Sequence, residues 1–135
     1  MSEFERSRRM PASAERVFDV ACDVDRLDLW LPRDIHVRPD DLPAVTVHED
    51  DTGRDARGLL NEERDQLRME WGTRDDNRYA GWLQVAGIHD ESSDVTVHLS
   101  FFEEEHVPPA EVLDKALDES LERLEEQVRQ ARGAG

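Results

Sequence analysis

Lysine occurs once in this chain, at Lys115, and cysteine once, at Cys22. A lone thiol excludes an intramolecular disulfide. With no basic neighbour in sequence to lower its pKa, Cys22 is expected to be a small buried side chain rather than a nucleophile. No apolar run approaches the ~18 residues of a membrane-spanning helix. The opening residues, MSEFERSRRMPASAERVF, lack the apolar stretch and cleavage pattern of a secretory signal, so a soluble, cytoplasmic protein is expected. Nucleophile elbows, phosphate-binding loops and dinucleotide glycine motifs are missing, and Ser100 and Ser120 have no His or Asp at triad spacing. The five histidines, His36, His48, His89, His98 and His106, show no metal-ligand spacing. HEDDTGRD at 48–55 lacks the twelve-residue calcium-loop pattern. Neither a metal nor a cofactor is expected.

What the chain has in excess is negative charge: 33 acidic against 17 basic residues, a formal −16. Such a field repels phosphate backbones and anionic lipid, and RSRR at 6–9 is too short to counter it. Nucleic acid and membrane are therefore excluded as expected partners. A chain of 135 residues fits one domain that buries roughly two thirds of its unfolded surface. Without repeat or linker, that domain is placed at 1–132, with 133–135 frayed.

Residues 3–10 alternate, with Phe4, Arg6, Arg8 and Met10 on one face, as in a strand. Ser13 is placed to cap a helix whose Val17, Phe18 and Ala21 recur at helical spacing. DVD at 23–25 breaks it and starts a second short helix, with Leu27, Trp30 and Leu31 on one face and Pro32 at its end. AVTVHE (44–49), QLRMEW (66–71), YAGWLQVAGI (79–88) and DVTVHLSFF (94–102) alternate as antiparallel strands; the third sets Leu83 and Val85 against Trp82 and Gln84. LLNEERDQLRMEW fits strand or helix equally, which leaves 59–65 open. After two prolines, Leu113, Leu117, Leu121, Leu124 and Val128 mark a long amphipathic helix, with Glu111–Lys115, Glu119–Arg123 and Glu125–Arg129 as four-residue ion pairs.

RRMPASAERVFDVACDVDRLDLWLP, together with SDVTVHLSFF and the long helix after it, resembles the SRPBCC superfamily of START domains, the birch-pollen allergen fold and polyketide cyclase-like proteins. The resemblance covers nearly the whole chain. It implies an α+β helix-grip fold: a curved antiparallel sheet around a long C-terminal helix, with two short helices after the first strand. It also implies a cavity between sheet and helix for a hydrophobic or amphipathic small molecule, with catalysis in only some members. The stretch from Pro32 to Leu59 is acidic and poor in aromatics, so a small or self-filled cavity is expected.

Arg6 and Arg8, on the Phe4 and Met10 face, would hold a ligand carboxylate in forked pairs; the other reading pairs them with Glu70 or another acid. Trp30, Trp71, Tyr79, Trp82, Leu99 and Leu117 complete the candidate ligand-binding set. Read as core fillers, the large side chains instead stabilise by roughly 1.5–3 kcal/mol each on burial. His98 would need to face the cavity to act as a base, against the alternation of its strand. The expected function is binding of a hydrophobic or amphipathic small molecule, polyketide cyclase-like in fold, with no catalytic residue assigned. The alternative is a filled-core interaction module resembling the superfamily's chaperone-activator branch, acting through its acidic surface on a basic partner. A homodimer through the long helix is a third arrangement.

Overall fold

The computed structural model describes residues 2–31, 35–49, 53–73, 79–101 and 109–134, with the side chains at 2, 35, 49, 54, 73, 79 and 132–134 left aside. Strand β1 (Ser2–Met10) leads into helix α1 (Ala14–Ala21) and a 3-10 turn at Val24–Leu29. Six strands follow: β2 (Ile35–Asp41), β3 (Ala44–Glu49), β4 (Arg54–Glu63), β5 (Arg68–Thr73), β6 (Tyr79–His89) and β7 (Ser92–Phe101). Helix α2 (Ala110–Ala134) closes the chain. The seven strands form one antiparallel sheet in the order β1-β7-β6-β5-β4-β3-β2, which is the expected helix-grip architecture.

The core follows from two periodicities that meet. Period-two alternation turns Leu83 and Val85 of β6 and Val95, Val97 and Leu99 of β7 to one face. The α2 stripe Leu113, Leu117, Leu121, Leu124 and Val128 is buried in the same cluster, Leu124 and Val128 completely. Helix α1 adds Val17, Phe18 and Ala21, and the 3-10 turn adds Leu27 and Trp30. Ser13 caps α1 as expected, accepting from the Arg16 amide at 3.4 Å. Asp23 caps the 3-10 turn in the same way, through the Asp25 amide at 3.2 Å. These two short segments lie over the same side of the sheet as α2 and form a lid. Its start is pinned where the buried Ser93 hydroxyl donates to the Ala12 carbonyl at 3.0 Å.

Two segments go beyond the sequence expectations. β2 was not anticipated: IHVRPDD carries a proline and three charges, and its inward positions pair weakly apolar residues, Val37 with Val47 and Pro39 with Val45. LLNEERDQLRMEW is neither one strand nor one helix. β4 runs to Glu63, a 3-10 turn spans Arg64–Gln66, and Leu67 takes a left-handed φ of 51° before β5 begins. A left-handed leucine is costly, and its backbone is held on both sides. Its amide donates to the Arg64 carbonyl at 3.1 Å and its carbonyl accepts from the Val85 amide at 2.9 Å.

Gly81 matters for the interior because the Trp71 indole lies flat against it. A Cβ there would sit 2.6 Å from Trp71 Nε1 and 2.7 Å from Cε2, closer than atoms tolerate. Gly81→Ala is expected to push the Trp71 ring aside and destabilise by about 1–3 kcal/mol, the usual cost of overpacking. Urea unfolding together with near-UV circular dichroism checks this; an unchanged midpoint and tryptophan signal would contradict the packing.

Candidate functional site

The interior between sheet and α2 is bounded on one side by β1, whose inward side chains are Phe4, Arg6, Arg8 and Met10 as the alternation requires. On α2, one residue round from the leucine stripe, runs a second stripe: Asp114, Asp118, Glu122 and Glu125. Arg6 lies 2.9 Å from Asp114 and 3.5 Å from Asp118, and Arg8 lies 4.0 Å from Glu122 and 3.0 Å from Glu125. Each guanidinium thus spans two carboxylates and fastens the edge strand to the helix. Arg6 and Arg8 reach the concave side of the sheet, where they meet acids of α2 rather than Glu70. Glu70 instead accepts from Arg68 at 2.7 Å on the other face.

Glu125 also accepts from Arg129 at 3.1 Å, the one expected helical pair that the described contacts contain. Burial pushes its carboxyl pKa up, but the bonds from Arg129 and Arg8 outweigh this and hold it below the usual carboxylate value.

Arg123 does not pair with Glu119 in the manner the spacing suggested. It reaches across to the lid and donates to the Leu31 carbonyl at 2.7 Å and the Asp28 carbonyl at 3.0 Å. Those two carbonyls flank Trp30, which is 3 % exposed and whose indole N–H has no hydrogen-bond partner. One helical turn before Arg123, the Ser120 hydroxyl is likewise buried and unpartnered.

The structure brings Trp30, Leu99 and Leu117 into one buried cluster, with Trp71 half-buried against it. Trp82 is on the opposite, convex face. There its ring stacks on His98 at 5.1 Å with planes 6° apart, and the Arg68 guanidinium lies over it at 4.5 Å. His98 shares that face and is approached by Glu3 at 3.4 Å and Glu5 at 3.3 Å, so it points away from the interior. The side chain of Tyr79 lies outside the described residues. Cys22 is part-buried with its Sγ 3.8 Å from Met69 Sδ, and its thiol is pushed up to about 12, chiefly by burial and then by Glu62, which makes it a poor nucleophile.

Sequence reasoning missed one feature entirely. A groove of about 520 Å³ opens between the 3-10 turn and β2, lined among others by Val24, Asp28, His36, Thr46 and His48. His36 and His48 are direct cross-strand neighbours with ring centroids 6.2 Å apart. Each turns its Nδ1 to a carboxylate, His36 to Asp28 at 3.6 Å and His48 to Asp55 at 2.6 Å. The pairing could be found only by recognising the β2–β3 hairpin. Among the described residues, no three His, Cys, Asp or Glu side chains are disposed to hold a metal ion. No helix among them is long and apolar enough to cross a membrane.

No protein-family model matches the sequence, and no curated protein matches it. Solved structures do match in fold. A START superfamily protein from Mycobacterium smegmatis is 16% identical with a TM-score of 0.75, covering 96% of this chain and 98% of its own. The Zhui aromatase/cyclase from a Streptomyces species is 14% identical with a TM-score of 0.70, covering 99% and 98%. The di-domain aromatase/cyclase StfQ of the steffimycin biosynthetic pathway is 18% identical with a TM-score of 0.75, covering 96% of this chain and 46% of its own. The fold is START-like.

Two outcomes follow from the polar contacts. A carboxylate whose folded pKa is lowered adds stability that is complete above the unfolded value and lost as pH falls through the folded one. Glu125→Gln is therefore expected to flatten the loss of stability as pH falls through and below the ordinary carboxylate value, read as urea midpoints at each pH. Arg123→Ala is expected to cost about 1 kcal/mol and to speed amide hydrogen exchange at 24–31 while leaving the strands protected. Uniform loosening of the whole chain would show that Arg123 is not specific to the lid.

Proposed function

We propose that the protein binds a hydrophobic or amphipathic small molecule in the space between the concave sheet face and α2, with α1 and the 3-10 turn as its lid. The observation that carries this is how the lid is seated. Its aromatic anchor, Trp30, enters the same apolar cluster as Leu99 and Leu117. The polar hold on the turn described here is the Arg123 fork to two main-chain carbonyls and the Asp28–His36 contact. Moving the 3-10 turn outward gives up two hydrogen bonds, one exposed ion pair and the burial of Leu27 and Trp30, while α1 stays seated through Val17, Phe18 and Ala21. The fold likeness to START and aromatase/cyclase proteins supports a ligand-binding use. No reaction is assigned, since the interior contains no aligned nucleophile and base among the described residues.

A second reading is favoured by the continuity of the buried cluster from Met10 to Val128: a filled-core interaction module that uses its acidic surface on a basic partner. Thermal shift with aromatic polyketides, fatty acids and sterols separates the two, together with mass spectrometry of whatever copurifies. A ligand that raises the melting temperature and changes tryptophan emission supports the interior site. A copurified basic polypeptide with no small-molecule response supports the interaction module. Light scattering reports whether α2 joins two copies.

A further inference from the structure

The polar atoms around the interior specify more than an apolar ligand. An anionic head group is disfavoured there: Arg6 and Arg8 already face Asp114, Asp118, Glu122 and Glu125, and a ligand carboxylate would have to displace one of these while sitting in their field. Among the described residues, the buried side-chain polar groups left unsatisfied are neutral. The Trp30 indole N–H can only donate, and the Ser120 hydroxyl has a proton to give. Both are buried and unpartnered, with Trp30 3 % and Ser120 4 % exposed. Arg123 relates the two: it bonds the Asp28 and Leu31 carbonyls around Trp30 and stands one helical turn from Ser120. A buried donor without an acceptor is costly to keep, and an oxygen acceptor arriving with a ligand would remove that cost.

We infer that Trp30 Nε1 and Ser120 Oγ are the polar recognition point of the interior site, and that they select an uncharged ligand carrying an oxygen acceptor, such as a ketone or ester on an apolar frame, over the corresponding acid. This rests on the interior-binding reading and adds its chemical selectivity.

The test uses the full chain and two frames, tetralin and fluorene, each as the ketone, the parent hydrocarbon and the carboxylic acid, with affinities by calorimetry. The ketone is expected to bind about five- to tenfold more tightly than its hydrocarbon, the value of one buried hydrogen bond, and the acid most weakly. Trp30→Phe and Ser120→Ala are each expected to reduce the ratio of ketone to hydrocarbon affinity, taken within the same variant. In the free protein Ser120→Ala is not expected to lower the urea midpoint, because it removes an unsatisfied donor, whereas Trp30→Phe also gives up buried volume. If Trp30→Phe does not fold, Ser120→Ala carries the test alone. Equal binding of ketone and hydrocarbon, or tightest binding of the acid, overturns the inference and leaves interior binding standing. A wild-type preference that survives in Ser120→Ala and in any folded Trp30→Phe also overturns it. Binding of no compound on either frame overturns both.

Discussion

The contact between the leucine stripe of α2 and the inward face of β6 and β7 is the one on which every other feature depends. Leu83, Val85, Val95, Val97 and Leu99 are buried together with Leu113, Leu117, Leu121, Leu124 and Val128. Neither partner is stable alone: a single curved sheet exposes its apolar face, and an isolated helix owes most of its order to packing. With the helix in place, the remaining open side is short enough for two segments of eight and six residues to cover it. The lid is therefore secondary in the energetic sense. It closes a space that the sheet and helix have already defined.

Around that apolar contact the charges are organised by type. Acids outnumber arginines about two to one, and several of the arginines bridge elements. Arg6 and Arg8 join β1 to α2, Arg123 joins α2 to the 3-10 turn, and Arg16 donates to the Ala131 carbonyl near the end of α2 at 3.3 Å. Arg64 contacts Asp19 at 2.6 Å and lies over the Phe18 ring, joining the turn after β4 to α1. Exposed pairs of this kind contribute little each. Their value is geometric, since a planar fork that meets two acceptors fixes how one element is rotated against the next, which a lone ammonium does less well.

Much of this was legible in the sequence, and the parts that were not have definite reasons. Alternation located β1, β3, β6 and β7, and the four- and three-residue steps located α2, because those elements have one wet face and one dry face. β2 was hidden because an edge strand buries little and so needs no strict pattern. The segment 59–67 read two ways because Leu60, Leu67 and Trp71 satisfy both periods; the left-handed Leu67 that decides it is set by hydrogen bonds from distant residues. The acidic stripe of α2 was present in the spacing of Asp114, Asp118, Glu122 and Glu125, yet local i to i+4 pairing drew attention first. Trp30 was recognised as the residue where core and ligand contact meet. Its burial is now known, but no local pattern could reveal that its N–H would be left without an acceptor. Alternation set Trp82 opposite Leu83 and Val85, yet its size put it among the ligand-binding candidates; its stack with His98 and Arg68 places it on the convex face, away from the interior.

β1 has a further consequence. It is an outermost strand of the sheet, hydrogen-bonded to β7 along one side, and two of its four inward positions are arginines tied to α2. Outer strands with unsatisfied main-chain groups invite another copy to extend the ladder, and inward-pointing charge is one of the ways to discourage it. A strand added beside β1 would have to continue a face that at this border is ionic rather than oily, opposite a helix flank already crowded with carboxylates. The same side chains that hold the helix in register also keep the sheet from growing, so that lateral polymerisation is resisted by the fold's own internal fastening.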